Sequence, residues 1–380
     1  MTNFRQADMA EATRLTREGR LAEAMAVLRG ALGSGAPTPP QTGGEGAATP
    51  SSILDLAPPA PGTGGAWTWP GEAQRARAPQ MPRRTRGKAG RGAPLPIPAG
   101  ASFEERVFSS AAGSRPYKLY VPASAAGAKS LPVVVMLHGC TQSPDDFAAG
   151  TRMNAVAEEE GFLVVYPGQT RGANASLCWN WFNPADQERG RGEPSLIAGI
   201  TRAVIAERGA DAGRVYVAGL SAGGAKAAIM GATYPDLFAA IGVHSGLACG
   251  AARDVASAFS SMKNGAPASA GAGAGIPTIV FHGDRDKTVA PVNADQVADA
   301  ARASARLQVT VETGQAQAGR RFTRTLHTDA RDRVMLEQWV LHGAGHAWSG
   351  GSAEGSYTDP TGPDASRAMV RFFLAHERRD

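Results

Sequence analysis

From residue 102 onward the chain alternates between two textures of hydrophobic patterning. Some stretches are short and apolar at nearly every position: "LPVVVMLHG", "FLVVYPG", "RVYVAGL", "FAAIGVHSG" and "IPTIVFHGDRD". A strand with one wet face alternates apolar and polar residues. Runs without that alternation predict strands covered on both faces, as in a parallel sheet. Between them, "MNAVAEEEG", "PSLIAGITRAVIAERG" and "AGGAKAAIMGATYP" carry apolar residues at helical spacing, as does "DASRAMVRFFLAHE" further on. "YKLYVP" and "VMLEQWVLHG" add strands, and the more polar "LQVTVET" and "RRFTRTLHTD" predict a hairpin. Strands alternating with helices predict an α/β fold, a mostly parallel sheet flanked by helices on both faces. Ligands on such sheets bind outside the carboxyl ends of the strands, which is where chemistry is sought.

Upstream the pattern differs. Leu21, Met25, Leu28 and Leu32 share one helical face, and Leu15 precedes a break at Gly19, which predicts a helical hairpin over residues 1–33. It resembles half of a tetratricopeptide-like repeat, and a lone hairpin cannot bury its own apolar face. Residues 34–101 turn to Pro, Gly, Ala, Ser and Arg, the composition of a flexible, disordered linker, with Trp67 and Trp69 as its aromatic exceptions. Residues 102–380 then carry the strand–helix alternation as the expected α/β domain.

Charge matters by location. The net charge is +5, yet residues 73–91 hold seven basic side chains and no acid, so the remainder is slightly acidic. A basic linker, rather than a nucleic-acid-binding fold, accounts for the balance. The N-terminus carries acids and lacks a continuous apolar core, which leads to the expectation of a cytoplasmic protein without a signal peptide. No run is long and apolar enough to span a bilayer. Cys140, Cys178 and Cys249 show no metal-binding spacing; buried, inert thiols are the default expectation for that compartment, and one disulfide among them is the alternative.

One stretch carries chemistry. Gly219, Leu220, Ser221, Ala222 and Gly223 spell G-x-S-x-G after a predicted strand and before a predicted helix. In that context the serine is a candidate nucleophile on a sharp bend, and the glycines relieve the crowding across it. A serine hydroxyl needs a base, and the base an orienting acid. With this motif the chain order is serine, acid, histidine. "DRD" after one later strand offers Asp284 and Asp286; "HGAGH" after the next offers His342 and His346. Position in the loops favours Asp286 and His346, with Asp284 capping the turn and His342 packing or making a backbone hydrogen bond. Two backbone N–H groups must meet the oxyanion, and Ala222 and Cys140 are placed to supply them.

Taken together, "LHGCTQSPDDF", "GLSAGG", "HGDRD", "CWNWF" and "GAGHAW" resemble the poly(3-hydroxybutyrate) depolymerase type of esterase, within the α/β-hydrolases and akin to feruloyl and acetyl-xylan esterases. The resemblance covers roughly residues 102–378. It implies Ser221, Asp286 and His346 as the triad, His138 as the histidine orienting the oxyanion loop, and Trp179, Trp181 and Trp348 as aromatic lining of the substrate cleft. Core packing is the alternative for those tryptophans. The implied activity is serine carboxylester hydrolysis of poly- or oligo-hydroxyalkanoates or related short-chain esters, with no metal or organic cofactor. The alternatives are a carbohydrate esterase of the feruloyl or acetyl-xylan type, or a silent hydrolase fold acting as a binding protein. The implied partner is the ester substrate, with self-association or granule contact through the N-terminal region. Many relatives are secreted and carry a signal peptide and an adsorbing domain. Neither is visible here, so soluble esters, oligomers or amorphous granules are expected in preference to crystalline polyester.

Overall fold

The uninterrupted apolar runs form the centre of one sheet: β3 (Val133–Leu137), β4 (Leu163–Pro167), β5 (Val215–Leu220), β6 (Ala240–His244) and β7 (Thr278–Gly283). Every residue of these five strands is buried. Around them are β1 (Ser102–Ser110), β2 (Gly113–Val121), β8 (Gln308–Gln315), β9 (Arg321–Thr328) and β10 (Val334–Leu341). The computed structural model of the chain describes residues 97–125, 127–266, 275–302 and 307–378. The expected hairpin at 1–33, most of the expected linker, the basic segment and Trp67 and Trp69 lie outside the described residues.

The sheet runs β1-β2-β4-β3-β5-β6-β7-β10-β9-β8. Its six central strands are parallel, and two antiparallel strands flank them at each edge. The expected mostly parallel sheet is therefore a mixed one. The reason is local: β1–β2 and β8–β9 are joined by short connections, which force antiparallel pairing. Their residues are largely exposed or half-buried, as edge strands with one or two wet faces should be.

Seven helices are described: α1 (Pro144–Thr151), α2 (Met153–Glu160), α3 (Gly192–Arg208), α4 (Ala222–Thr233), α5 (Val255–Asn264), α6 (Val292–Arg302) and α7 (Ala365–Leu374). Alternate residues of each central strand serve opposite faces. Val133, Val135 and Leu137 pack with Ile197 and Ile200 of α3 and Ile229 of α4. Val134 and Met136 pack with Phe147 of α1 and Met369 and Phe373 of α7. Each fully buried side chain of this size contributes about 1.5–3 kcal/mol relative to exposure. Among the described residues no helix is long and apolar enough to cross a membrane.

Parallel register sets the site. Leu137 pairs with Gly219, Leu220 with His244, and Leu341 with Gly283. The residues that follow β3, β5, β7 and β10 therefore emerge along one edge of the sheet.

Candidate active site

Ser221 stands alone between β5 and α4, with φ 58° and ψ −120°. That backbone conformation is unfavourable for any residue with a Cβ and persists only where its surroundings impose it. Its N–H donates to the His244 carbonyl at 2.9 Å, and its carbonyl accepts from Ala225 N–H at 2.9 Å. The neighbouring glycines are steric necessities. A Cβ on Gly219 would lie 2.7 Å from the Leu137 carbonyl oxygen, and one on Gly223 would lie 2.6 Å from that of His138. Strand-to-helix reversal at this tightness leaves no room for side chains on either flank.

Asp286 follows β7 and has a fully buried carboxylate. Its Oδ1 accepts from the N–H groups of Thr288 and Val289 at 2.8 and 2.9 Å. Its Oδ2 accepts from Nδ1 of His346 at 2.7 Å. Burial pushes the carboxyl pKa up, but hydrogen bonds from His282 and His346 and the Val289 amide outweigh it. The net result holds the group well below the usual carboxylate range. Of the two acids and two histidines the sequence offered, the structure also pairs the others: Asp284 Oδ2 meets His342 Nδ1 at 3.1 Å, and Asp284 Oδ1 accepts from Gly343 N–H at 2.6 Å. Asp284 is thus a clamp on the loop after β10. His342, expected to pack in the strand, lies one residue beyond it, and its Nε2 meets Thr323 Oγ1 at 2.9 Å. Among the described residues neither Ser221 Oγ nor His346 Nε2 has a hydrogen-bond partner.

The loop after β3 holds the expected oxyanion donors. His138 is 1% exposed, its Nδ1 donates to the Gly139 carbonyl at 2.8 Å, and its Nε2 accepts from Gln169 N–H at 3.0 Å. Burial drives its pKa down to about 4, so the ring is a neutral brace for the loop. Gly139 N–H is taken by Gln142 Oε1 at 2.9 Å, which fixes the turn around Cys140. Among the described residues the N–H groups of Cys140 and Ala222 have no acceptor.

Two expectations are corrected here. Cys140 and Cys178 form a disulfide, with Cα atoms 4.2 Å apart, whereas inert thiols were expected. That expectation rested on the inferred compartment; the fold brings two loops 38 residues apart into contact. Trp179, Trp181 and Trp348, the expected cleft lining, are 0%, 5% and 1% exposed and belong to the core. Trp179 Nε1 donates to the His138 carbonyl at 3.1 Å and Trp348 Nε1 to Ser366 Oγ at 3.1 Å, so even their polar atoms face inward.

Other contributors were not legible in the sequence. His282 Nε2 donates to the Val289 carbonyl at 2.9 Å and lies 3.4 Å from Asp286 Oδ2. Besides holding the serine turn through its carbonyl, His244 accepts from Ser349 N–H at Nε2 (3.0 Å) and stacks on Trp348. It therefore joins the serine turn to the loop that carries His346. Beneath the oxyanion loop, buried Glu193 accepts from Lys226 Nζ at 2.9 Å, Gln169 Nε2 at 2.5 Å and Asn180 N–H at 2.9 Å. "LHG", "GVHSG" and "HGDRD" put histidines at strand ends; nothing in spacing revealed their partners.

A strained serine elbow, a buried carboxylate and a histidine bonded to it, arriving in that order at the ends of parallel strands, define an α/β-hydrolase architecture. The chain belongs to the Esterase PHB depolymerase family, whose model matches residues 115–325. The matched span includes Ser221 and Asp286; His346 lies beyond it. The chain is 33% identical over 228 residues to poly(3-hydroxyalkanoate) depolymerase C of Paucimonas lemoignei, covering 57% of this chain and 54% of that one. It is 41% identical over 117 residues to feruloyl esterase B of Neurospora crassa, covering 30% and 39%. Among solved structures, the acetyl xylan esterase from Aspergillus awamori aligns with a TM-score of 0.56 at 21% identity, covering 72% of this chain and 99% of that one, which is likeness of fold. The chain spans about half the length, or less, of these curated relatives.

Proposed function

We propose that the protein is a serine carboxylester hydrolase acting on esters of hydroxyalkanoate oligomers or polymers and related short-chain esters. Ser221 attacks the ester carbonyl, and His346 takes its proton and returns it to the leaving alcohol. Asp286 holds the imidazole, and the amides of Cys140 and Ala222 receive the oxyanion. Water then resolves the acyl-enzyme. The observation that carries this reading is the 2.7 Å Asp286–His346 bond at the strand ends that also bear the Ser221 elbow.

The test is turnover of a p-nitrophenyl ester together with fluorophosphonate labelling of Ser221. Ser221→Ala is expected to lose both while its circular dichroism and unfolding curve remain those of the wild type. Retained turnover overturns the mechanism. A wild type that neither labels nor hydrolyses leaves the silent, ligand-binding fold.

A carbohydrate-ester substrate is the second reading, supported by 41% identity over 117 residues to a feruloyl esterase. Comparing kcat/KM on hydroxybutyrate trimer with that on feruloylated and acetylated sugars separates the two. As to location, the Cys140–Cys178 disulfide supports the secreted alternative over the cytoplasmic expectation, because cytosolic thiol pools keep such pairs reduced.

A further inference from the structure

Trp179, Trp181 and Trp348 lie in the core, but one large ring near the site does not. Tyr357 is 47% exposed, a conspicuous fraction for a large ring. It sits in the segment joining two short strands, β11 (Trp348–Ser349) and β12 (Thr358–Asp359), which pair in parallel just after His346. Its carbonyl accepts from Trp348 N–H at 2.7 Å, which anchors its backbone two residues from the histidine. At the other end of the side chain, the phenol lies 3.3 Å from Thr141 Oγ1, whose hydroxyl donates to the Cys140 carbonyl at 2.6 Å. The ring therefore spans from the histidine loop to the oxyanion loop.

The segment is held in place for this. Ser356 N–H donates to Asp146 Oδ1 at 2.9 Å, and Gln142 Nε2 donates to the Ser356 carbonyl at 3.1 Å. Tyr357 itself has φ 53°, an unfavourable value for an aromatic residue that the surrounding bonds impose. A half-exposed ring fixed so firmly is preorganised for contact rather than left over from packing.

We propose that Tyr357 is a substrate-contacting residue whose ring forms the wall beside the leaving alcohol of the ester; this rests on the ester-hydrolase reading above. In this proposal the alcohol oxygen faces His346 to receive its proton, and the alcohol group lies toward the ring that bridges the histidine and oxyanion loops. Aromatic or bulky alcohols gain most from the ring.

Acetate esters of ethanol, benzyl alcohol and 2-naphthol share one acyl-enzyme, so differences among them report on the alcohol half alone. In the full chain, Tyr357→Ala is expected to cut the preference for benzyl and naphthyl over ethyl acetate about tenfold, mainly through KM, the size of one lost aromatic contact. Tyr357→Phe, which keeps the ring, retains that preference within roughly twofold. Equal losses on all three esters, or an alcohol preference unchanged by Tyr357→Ala, overturn the proposal. Thermal unfolding of both variants shows whether the alanine change has disturbed the fold; the phenylalanine variant then decides. Fluorophosphonate labelling separates the two levels of failure. A labelled wild type whose alcohol preference ignores Tyr357 sinks this proposal alone, and an unlabelled, inactive wild type sinks the hydrolase reading with it.

Discussion

Ser221 holds its φ of 58° at a cost on the order of 1–3 kcal/mol, which the surrounding bonds and packing must offset. The carboxylate that serves the histidine is under a similar tension between burial and bonding. Asp286→Asn is expected to lower kcat by on the order of 10³–10⁴, because the amide can donate to Nδ1 and favour the wrong tautomer. Steady-state kinetics on a p-nitrophenyl ester read this directly. His138 makes a stability prediction. Burial lowers its pKa from the ordinary 6.5 to about 4. Between those values the unfolded chain binds a proton that the folded chain refuses. Stability is therefore full above the upper value and declines as pH falls through the window, by about 3 kcal/mol from this group. His138→Gln keeps an acceptor for Gln169 N–H without the titration. Urea unfolding at a series of pH values should show a shallower acid decline for this variant; an unchanged slope counts against the assignment.

At the level of elements, the elbow depends on β5 and α4 meeting without side chains between them. Gly223→Ala is expected to destabilise by about 3 kcal/mol or more, since backbone carbonyls of the neighbouring strand end cannot yield. Chemical denaturation measures it. The Cys140–Cys178 bridge joins the oxyanion loop to the loop carrying Trp179 across 38 residues, which in the chain-entropy account contributes about 4 kcal/mol. In denaturant, thiol titration is expected to find one reactive cysteine per chain before reduction and three after, because Cys249 alone is free. Cys178→Ser should lower the melting temperature and also kcat, through a loosened Cys140 amide. A normal kcat in a destabilised variant would show that the bridge serves stability alone.

Across the whole molecule, the buried Lys226–Glu193 pair ties the nucleophile helix to the loops behind the oxyanion turn. Both side chains are nearly inaccessible, at 0% and 3%. Lys226→Met strands a buried carboxylate and is expected to destabilise by about 3–5 kcal/mol, with Lys226→Met/Glu193→Gln recovering part of it; a double-mutant cycle in urea checks this. None of that network was legible from spacing, because Glu193, Gln169, Asn180 and Lys226 come from four separate segments. The central strands were legible, since a strand covered on both faces must be apolar throughout, and so was the Ser221 elbow, since its bend admits only glycine at fixed offsets. The acid and histidine were offered by the chain order that accompanies the serine motif. Whether Trp179, Trp181 and Trp348 face substrate or core is a different kind of question, as is whether two cysteines meet. Apolar side chains suit pockets and interiors alike, and a disulfide needs two loops to converge. Sequence alone determined the central strands and the serine turn, because each is dictated by neighbours along the chain, and it offered the candidate acids and histidines in order. Tertiary structure alone decided the mixed sheet edges, the disulfide, the buried tryptophans and the exposed ring of Tyr357, because those depend on which distant segments come into contact.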